Sequence, residues 1–318
     1  FFSPISCNCS IYCQIDLFSL MYIFSTVAFG RMGSLASGNG TFGLLGSLSP
    51  FGTSWGEYAA NASTVMSGFD RYDNTVTYAT PAFAGFKAYA QYSFDTDSKD
   101  DYDGAGLHGV EGKSSVDRYY AIGLTYTNGP LNLAAVVDQT NFSTTKWNGV
   151  DWGNPVDDAL TVTVGGNYDF QVVKLYAGAQ YFDNADLNSI DNIFSKDFAL
   201  SPAQTERFQV KGYGLTIGAD IPAAGGTFKV ATSYLDGTID KVNGWDMATA
   251  IGATFGEIDI SRWNTSAGYL YSLSKRTSLY GVASYSYQTV KGQKDFNGYS
   301  LDVAPTVIEV AAGIVHKF

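Results

Sequence analysis

Residues 85–94 read GFKAYAQYSF, and their side chains alternate strictly in polarity. One parity carries the apolar residues Phe86, Ala88, Ala90, Tyr92 and Phe94. The other parity carries Lys87, Tyr89, Gln91 and Ser93. Because successive side chains of a β-strand point to opposite faces of the sheet, this stretch predicts a strand with one apolar and one polar face.

The same alternation recurs along most of the chain. It is clear in LTVTVGGNYDF (160–170), VKLYAGAQY (173–181) and RWNTSAGYLYSLS (262–274). We predict about twelve strands, of which the first ends in STVAFGR (25–31). The other eleven lie near 74–83, 85–95, 117–128, 130–141, 159–170, 172–183, 207–221, 226–238, 261–273, 276–289 and 305–318.

Alternation alone would also suit a soluble sandwich with one wet face. Two further features favour a barrel that crosses a membrane. Aromatic residues gather near strand ends, as at Tyr119, Tyr120, Tyr168, Phe170 and Tyr181, where interfacial girdles are expected. Short connections (127–130, 169–171, 222–226 and 272–276) alternate with long polar ones (95–117, 141–158, 184–206 and 289–304). The predicted fold class is therefore all-β, a transmembrane antiparallel β-barrel.

The composition agrees with this fold and excludes one class of partner. Of the 318 residues, 45% are hydrophobic and only 15% are charged, against about 25% charged in typical soluble proteins. The net charge is −11. A nucleic-acid-binding protein needs a basic face, so no nucleic-acid partner is expected.

Residues 1–26 differ from the remainder of the chain. They contain Cys7, Cys9 and Cys13 but no Lys, Arg or Gly. They lack the basic start and small-residue cleavage site of a signal peptide, and they hold no clean apolar run for a membrane helix. We interpret 1–26 as an atypical leader, either foreign or mistranslated or an unusual natural start, and 27–318 as the barrel.

Two short motifs match catalytic patterns without their structural context. GNGTFG (38–43) fits a dinucleotide-binding pattern and GTSWG (52–56) fits a nucleophile elbow, but both need a helix that the pattern does not predict. Only His108 and His316 are present, which argues against an outer-membrane lipase. The acidic run 95–104 lacks the spacing of an EF-hand and is interpreted as an external loop. No catalytic residue, metal site or cofactor is predicted.

Five cations fall at or near strand positions of the polar parity: Arg31, Arg71, Lys87, Lys174 and Lys229. In a packed core such charges would need partners. On the wall of a water-filled lumen they are readily tolerated and shape the flow of ions. The alternative is that they mark strand ends that face bulk water.

Three stretches resemble one known family, the general trimeric porins of the proteobacterial outer membrane. GIVHKF (313–318) is similar to the family's closing Gly-Leu-Arg-His-Lys/Arg-Phe, and VAFGRMGSL (27–35) resembles the strand that ends in Gly-Arg. DRYDNTVTYATPAFAGFKAYAQYSFD (70–95) resembles the strand pair that follows. The resemblance covers about 27–318. It implies a barrel of the 16-stranded porin type, with about 12 strands visible here and the N-terminal strands missing or replaced.

The resemblance also implies roles for particular residues. Residues 32–73 would form a constriction loop folded into the barrel. Its acidic groups Glu57, Asp70 and Asp73 would face Arg31, Arg71 and Lys87 on the wall. Tyr89, Lys174, Tyr176 and Lys229 would line the lumen. Phe318, Ile314 and Val310 would form the signal read by the barrel-assembly machinery, which accounts for a chain that ends within a strand.

The implied function is passive diffusion of small hydrophilic solutes and ions across the outer membrane of a Gram-negative bacterium. The implied partners are membrane lipid, lipopolysaccharide and two further copies in a homotrimer. Two alternatives stay open. A ladder of inward aromatics at Tyr89, Tyr176 and Tyr280 would suit a substrate-specific channel, and a plugged lumen would suit a surface adhesin or structural anchor.

Overall fold

The computed structural model describes residues 25–36, 42–51, 71–94, 96, 116–142, 146–147, 150–151, 157–186, 209–239, 257–292 and 301–317. These residues form β-strands and one short 3-10 helix, η1 (Leu44–Leu48). The strands are β1 (Thr26–Gly33), β2 (Arg71–Ala79), β3 (Phe86–Ser93), β4 (Arg118–Asn128), β5 (Leu131–Asn141), β6 (Lys146–Trp147), β7 (Val150–Asp151), β8 (Ala159–Asp169), β9 (Lys174–Asp186), β10 (Gln209–Ala223), β11 (Gly226–Ile239), β12 (Ile258–Ser272), β13 (Thr277–Gly292), β14 (Leu301–Val303) and β15 (Thr306–His316). No helix in the described ranges is long and apolar enough to cross a membrane.

The long strands coincide with the predicted segments, which confirms the predicted fold class. Each predicted segment from residue 85 onward overlaps one long strand, and the segment that ends at 25–31 is β1. The predictions missed the two-residue strands β6 and β7, which pair with each other inside the predicted long connection 141–158. They also missed β14, which lies near the end of the connection 289–304.

All pairings among the described residues are antiparallel, and each long strand pairs with the next long strand along the chain. The sheet order is β1-β2-β3-β4-β5-β8-β9-β10-β11-β12-β13, after which β14 and β15 both pair with β13. The ladders are long and regular, as between β12 and β13, where the register runs from Ile258–Gly292 to Ser272–Ser278. Within the described residues β1 pairs only with β2 and β15 only with β13, so the described sheet is open between these two strands.

The connections alternate between short and long, as the sequence predicted. β4 and β5 are joined by Gly129 and Pro130, and β10 and β11 by Ala224 and Gly225. Ala224 and Gly225 both have positive φ, at 50° and 79°, as a two-residue hairpin turn of type I′ requires. The intervening connections, such as 187–208 and 240–257, are much longer. All short turns therefore lie at one end of the sheet, the short-turn end, and the long loops at the other.

One face of the sheet contacts Phe42–Phe51, the inner segment, and is called the inner face. Its buried residues are largely polar, and they include Thr77, Gln91, Asp138, Thr163, Asn167, Gln180, Thr216, Asn264, Ser266, Ser284 and Ser286. The outer face is apolar and exposed, and it includes Ile122, Leu124, Val137, Val164, Leu175, Leu215, Ile217, Ile308, Val310 and Ile314. Ile122 is 70% exposed whereas Asn264 is 0% exposed. This distribution is inverted relative to a water-soluble domain and fits a lipid-facing exterior.

The boundaries of the predicted loop 32–73 need correction. β1 continues to Gly33 and β2 begins at Arg71, so the connection between them is 34–70. Asn74 has φ of 48°, in the left-handed region, at the point where the register of β1 on β2 shifts. Burial still alternates across it, with Asp73, Thr75 and Thr77 all buried, so the inward face of β2 begins at Asp73.

Candidate functional site

The inner segment crosses the inner face of the sheet from β3 to β13. At its start the ring of Phe42 packs edge-on against Tyr89, with 5.7 Å between the ring centroids. At its end Phe51 packs against Ala231 of β11 and Val282 of β13. The segment therefore spans most of the width of the described sheet on the side away from lipid.

Local geometry shapes the inner segment before it meets the wall. Gly43, with φ of 46°, turns the chain into η1. The Leu44 N–H donates to the Leu35 carbonyl at 3.1 Å, and the Ser47 hydroxyl donates to the Leu44 carbonyl at 3.1 Å. These bonds direct Leu44 and Leu48 toward the wall, where both are buried.

An apolar patch on the inner face receives this segment. The wall contributes Tyr89, Tyr119, Ala121, Ala134 and Val136. The loop contributes Leu35, Ala36, Leu44, Leu45 and Leu48. Because the rest of the described inner face is largely polar, this patch determines where an apolar loop can lie without leaving apolar surface in water.

Gln91 of β3 anchors the start of the loop. Its Oε1 accepts from the Leu35 N–H at 2.8 Å, and its Nε2 donates to the Gly33 carbonyl at 3.1 Å. The same Nε2 donates to the Thr77 hydroxyl of β2 at 2.8 Å. One buried wall side chain thus satisfies two backbone groups where the chain leaves β1 for the interior.

Asn167 of β8 anchors the middle of the loop. Its Nδ2 donates to the Ser47 carbonyl at 2.9 Å. Its Oδ1 accepts from Nδ2 of Asn132 on the neighbouring strand β5 at 3.1 Å. The second bond orients the Asn167 amide, so that its donor points at the loop.

Lys229 of β11 anchors the end of the inner segment. Its Nζ donates to the Pro50 carbonyl at 2.9 Å and to Oδ1 of Asp220 on β10 at 2.8 Å. The Tyr176 hydroxyl of β9 donates to the other carboxylate oxygen of Asp220 at 2.8 Å. Lys229 is 8% exposed, and it therefore lies beneath the loop with its charge balanced by Asp220. This contact with the loop was not predicted.

Arg31 and Asp73 form an ion pair on the wall. The Arg31 Nη1 lies 2.7 Å from the Asp73 Oδ1, and the Arg31 side chain is 42% exposed. The register of β1 on β2 shifts between Gly30 and Met32, and Gly30 has φ of 116°, a conformation that favours glycine. This bulge directs Arg31 toward Asp73. Placing Asp73 on the loop was wrong, because Asp73 belongs to β2.

Two lysines lie near the short-turn end with a tyrosine two residues later. Lys87 Nζ is 5.1 Å from the ring centroid of Tyr89 on β3, and Lys174 Nζ is 5.2 Å from that of Tyr176 on β9. Each lysine shares the parity of its buried tyrosine and is half-buried. The ring stabilises the ammonium without neutralising it.

The other predicted residues are distributed as follows. Arg71 is exposed at the start of β2. Val310 and Ile314 lie on the outer face of β15, 77% and 63% exposed. Glu57, Asp70 and Phe318 lie outside the described residues.

Of the residues that hold the loop in place, only Lys229 is a site residue of the sequence analysis, as a lumen-lining cation. Gln91 was recognised only as an inward-facing position, and Asn167 and Asp220 were not assigned a role. All three are polar residues at inward positions of regular strands, which is a signal that could have selected them. That signal does not separate them from the many inward Ser and Thr residues that bond only to the wall.

Comparisons with known proteins agree with this architecture. The sequence profile described as Gram-negative porin matches residues 18–292. The chain is 32% identical over 295 residues to an outer membrane porin protein of Bordetella pertussis, covering 91% of this chain and 68% of that protein. It is 26% identical over 212 residues to outer membrane porin protein 32 of Delftia acidovorans, covering 66% of this chain and 45% of that protein.

A solved structure with a similar fold is the anion-selective porin from Comamonas acidovorans. The TM-score is 0.56 at 22% sequence identity, and the match covers 93% of this chain and 75% of that chain. The profile match extends over most of the sequence, and the polar inner face with its seated segment is the arrangement expected of such a channel. The chain belongs to the Gram-negative porin family and is a porin of the outer membrane.

Proposed function

We propose that residues 34–70 form the constriction of this passive channel and thereby limit it to small hydrophilic solutes and ions. The supporting observation is that the inner segment lies across the polar inner face and is bonded to the wall through Asn167 and Lys229, while Gln91 bonds to the start of the loop at Leu35. A loop held at three points occupies part of the bore without moving with the solute. Pore dimensions and lining charges then decide what passes. Transport of this kind involves no catalytic step, cofactor or metal.

The direct test is to refold the full chain into planar bilayers and record single-channel currents, with swelling of sugar-loaded liposomes as a second assay. Stable current steps and faster entry of small than of large sugars are the expected result. Saturation of the current by one solute would point instead to a substrate-specific channel. Correctly inserted protein without any current would contradict the proposal and favour a plugged surface protein.

We further propose a homotrimer embedded in membrane lipid and lipopolysaccharide, assembled by the barrel-assembly machinery. Val310 and Ile314 present apolar side chains on the outer face of β15, and Phe318 would complete the terminal signal. Cross-linking of the detergent-extracted protein tests the trimer. Insertion by the purified machinery into liposomes, with and without Phe318, tests the signal.

Lys87 and Lys174 are proposed to favour anions at the short-turn end. Neither forms an ion pair among the described residues, so their charges act on passing ions. Replacing both by glutamine should lower the anion-to-cation permeability ratio about 2-fold, measured as the reversal potential in a salt gradient. The matched control is Lys291→Gln, since Lys291 is exposed and shares the outward parity of Tyr285 and Tyr287. An equal shift in the control would contradict the assignment.

A further inference from the structure

Gly218 lies on the inner face of β10, directly beneath Pro50 of the inner segment. A Cβ atom built on Gly218 would lie 2.6 Å from both Cγ and Cδ of Pro50. Such a distance is well below ordinary van der Waals contact. The proline ring therefore occupies the space that the side chain of any residue other than glycine at position 218 would need. The Pro50 ring is closed onto the backbone nitrogen, so it cannot rotate away as a flexible side chain can.

A hydrogen bond from the neighbouring strand β11 holds the same point of the loop against the wall. Lys229 Nζ donates to the Pro50 carbonyl at 2.9 Å, and Asp220 fixes Lys229 at 2.8 Å. Pro50 is therefore held toward the wall by a hydrogen bond while the missing side chain of Gly218 determines how closely it approaches. The next loop residue, Phe51, is also buried against the wall, at 2% exposed.

Three other wall glycines lie beneath the inner segment, but their contacts with it are softer. A Cβ on Gly123 would lie 2.6 Å from Leu44 Cδ1, one on Gly165 would lie 2.8 Å from Leu48 Cδ2, and one on Gly178 would lie 3.3 Å from Leu48 Cδ1. These contacts involve the ends of flexible leucine side chains, which can change rotamer. Among the described wall glycines, Gly218 is thus the position where an added carbon must displace the loop backbone.

We propose that Gly218 is a specificity-determining residue, which sets the distance of the constriction loop from the wall and hence the size limit of the channel. This inference rests on the proposed function. Adding a methyl group at Gly218 moves Pro50 toward the lumen, while the Lys229 bond keeps the loop attached. The bore becomes narrower, and large solutes are affected more than small ions.

The test compares Gly218→Ala with the parent chain in planar bilayers and in liposome swelling. Because conduction falls with the free cross-section, a displacement of the loop by about 1 Å should lower single-channel conductance roughly 1.5-fold. Entry of the largest sugar that the parent admits should fall further. The control is Gly281→Ala on β13, where an added Cβ meets nothing within 4 Å. This control should match the parent.

A double variant separates the loop from the wall. A Cβ on Gly218 would also lie 2.9 Å from the Val230 carbonyl oxygen of β11, so a change in the sheet itself must be tested. Gly218→Ala with Pro50→Ala removes the ring that is displaced and should restore the parent conductance and sugar limit. Failure of this rescue, or an unchanged Gly218→Ala channel, overturns the inference alone. A parent chain without current overturns the proposed function and this inference with it.

Discussion

Lys229→Met should produce a channel with higher and noisier conductance and a less stable barrel. The substitution removes the bond from Nζ to the Pro50 carbonyl, so the end of the inner segment is no longer held to the wall. It also leaves the Asp220 carboxylate without its cation in a site where both side chains are largely buried, at 11% and 16% exposed. Removing one partner of such a pair lowers the free energy of unfolding by about 3 kcal/mol.

The measurements are single-channel current and guanidinium unfolding in detergent, with Lys211→Met as the matched control. Lys211 lies on the adjacent strand β10 and pairs with Asp183 at 3.4 Å, but these side chains are 50% and 33% exposed. An exposed pair of this kind contributes less than about 1 kcal/mol. The control should therefore keep parent conductance and nearly parent stability. Equal effects of the two substitutions would contradict the anchoring role of Lys229.

A double variant distinguishes the charge of Lys229 from its bond to the loop. Lys229→Met with Asp220→Asn removes the unpaired carboxylate, and the asparagine can still accept from the Tyr176 hydroxyl. Stability should recover in part, because no buried charge is left without a partner. Conductance should stay raised, because the Pro50 carbonyl still has no donor. If stability and parent conductance were both recovered, the position of the loop would depend on the stability of the barrel and not on the hydrogen bond from Lys229.

Gln91→Leu should detach the start of the loop. Gln91 is 4% exposed, and its loss removes the side-chain partner of the Leu35 N–H and of the Gly33 carbonyl. Each buried backbone group left unsatisfied lowers the stability of the local structure by about 1–3 kcal/mol. The expected results are raised conductance and faster chymotrypsin cleavage near Leu35 and Leu44, measured on liposome-embedded protein.

Thr77→Val is the control for the Gln91 experiment. Thr77 accepts from Gln91 at 2.8 Å and donates to the sulfur of Met32, so both of these side-chain bonds stay within the wall. The substitution removes a wall contact but keeps both bonds from Gln91 to the loop. It should lower barrel stability without changing conductance or cleavage. If Thr77→Val changed the conductance as much as Gln91→Leu does, the loss of any side-chain hydrogen bond in this part of the wall would be enough to release the loop.

The two anchor variants and Gly218→Ala differ in the sign of their effects. Loss of Lys229 or Gln91 frees the loop and widens the bore, whereas a methyl group at Gly218 displaces a loop that is still attached and narrows it. A general defect in folding would lower the number of channels and leave the conductance of each one unchanged. Opposite changes in single-channel conductance therefore have no common explanation through folding.

The strands and the character of their two faces could be predicted from the amino-acid sequence. A period of two is a local property, so GFKAYAQYSF could be assigned to a strand, with Gln91 inward and Phe86 outward, before any pairing was known. The alternation of short and long connections then indicated a membrane barrel. The start of β2 was the exception. Asp73 was assigned to the loop, although it is a buried inward position of β2 next to Asn74, whose φ is positive.

The roles of the inward residues depend on contacts between distant parts of the chain. Lys229 and Pro50 are 179 residues apart, and Asn167 and Ser47 are 120 residues apart. No local period relates residues at such separations. Its inward parity correctly placed Lys229 on the inner face of the sheet. Only the tertiary structure shows that the inner segment crosses β10 and β11 above it, so that Lys229 binds the Pro50 carbonyl. The contact between Pro50 and Gly218 likewise depends on two segments that are distant in the sequence. A glycine within a strand indicates that another group approaches closely, but it does not indicate which residue that group belongs to.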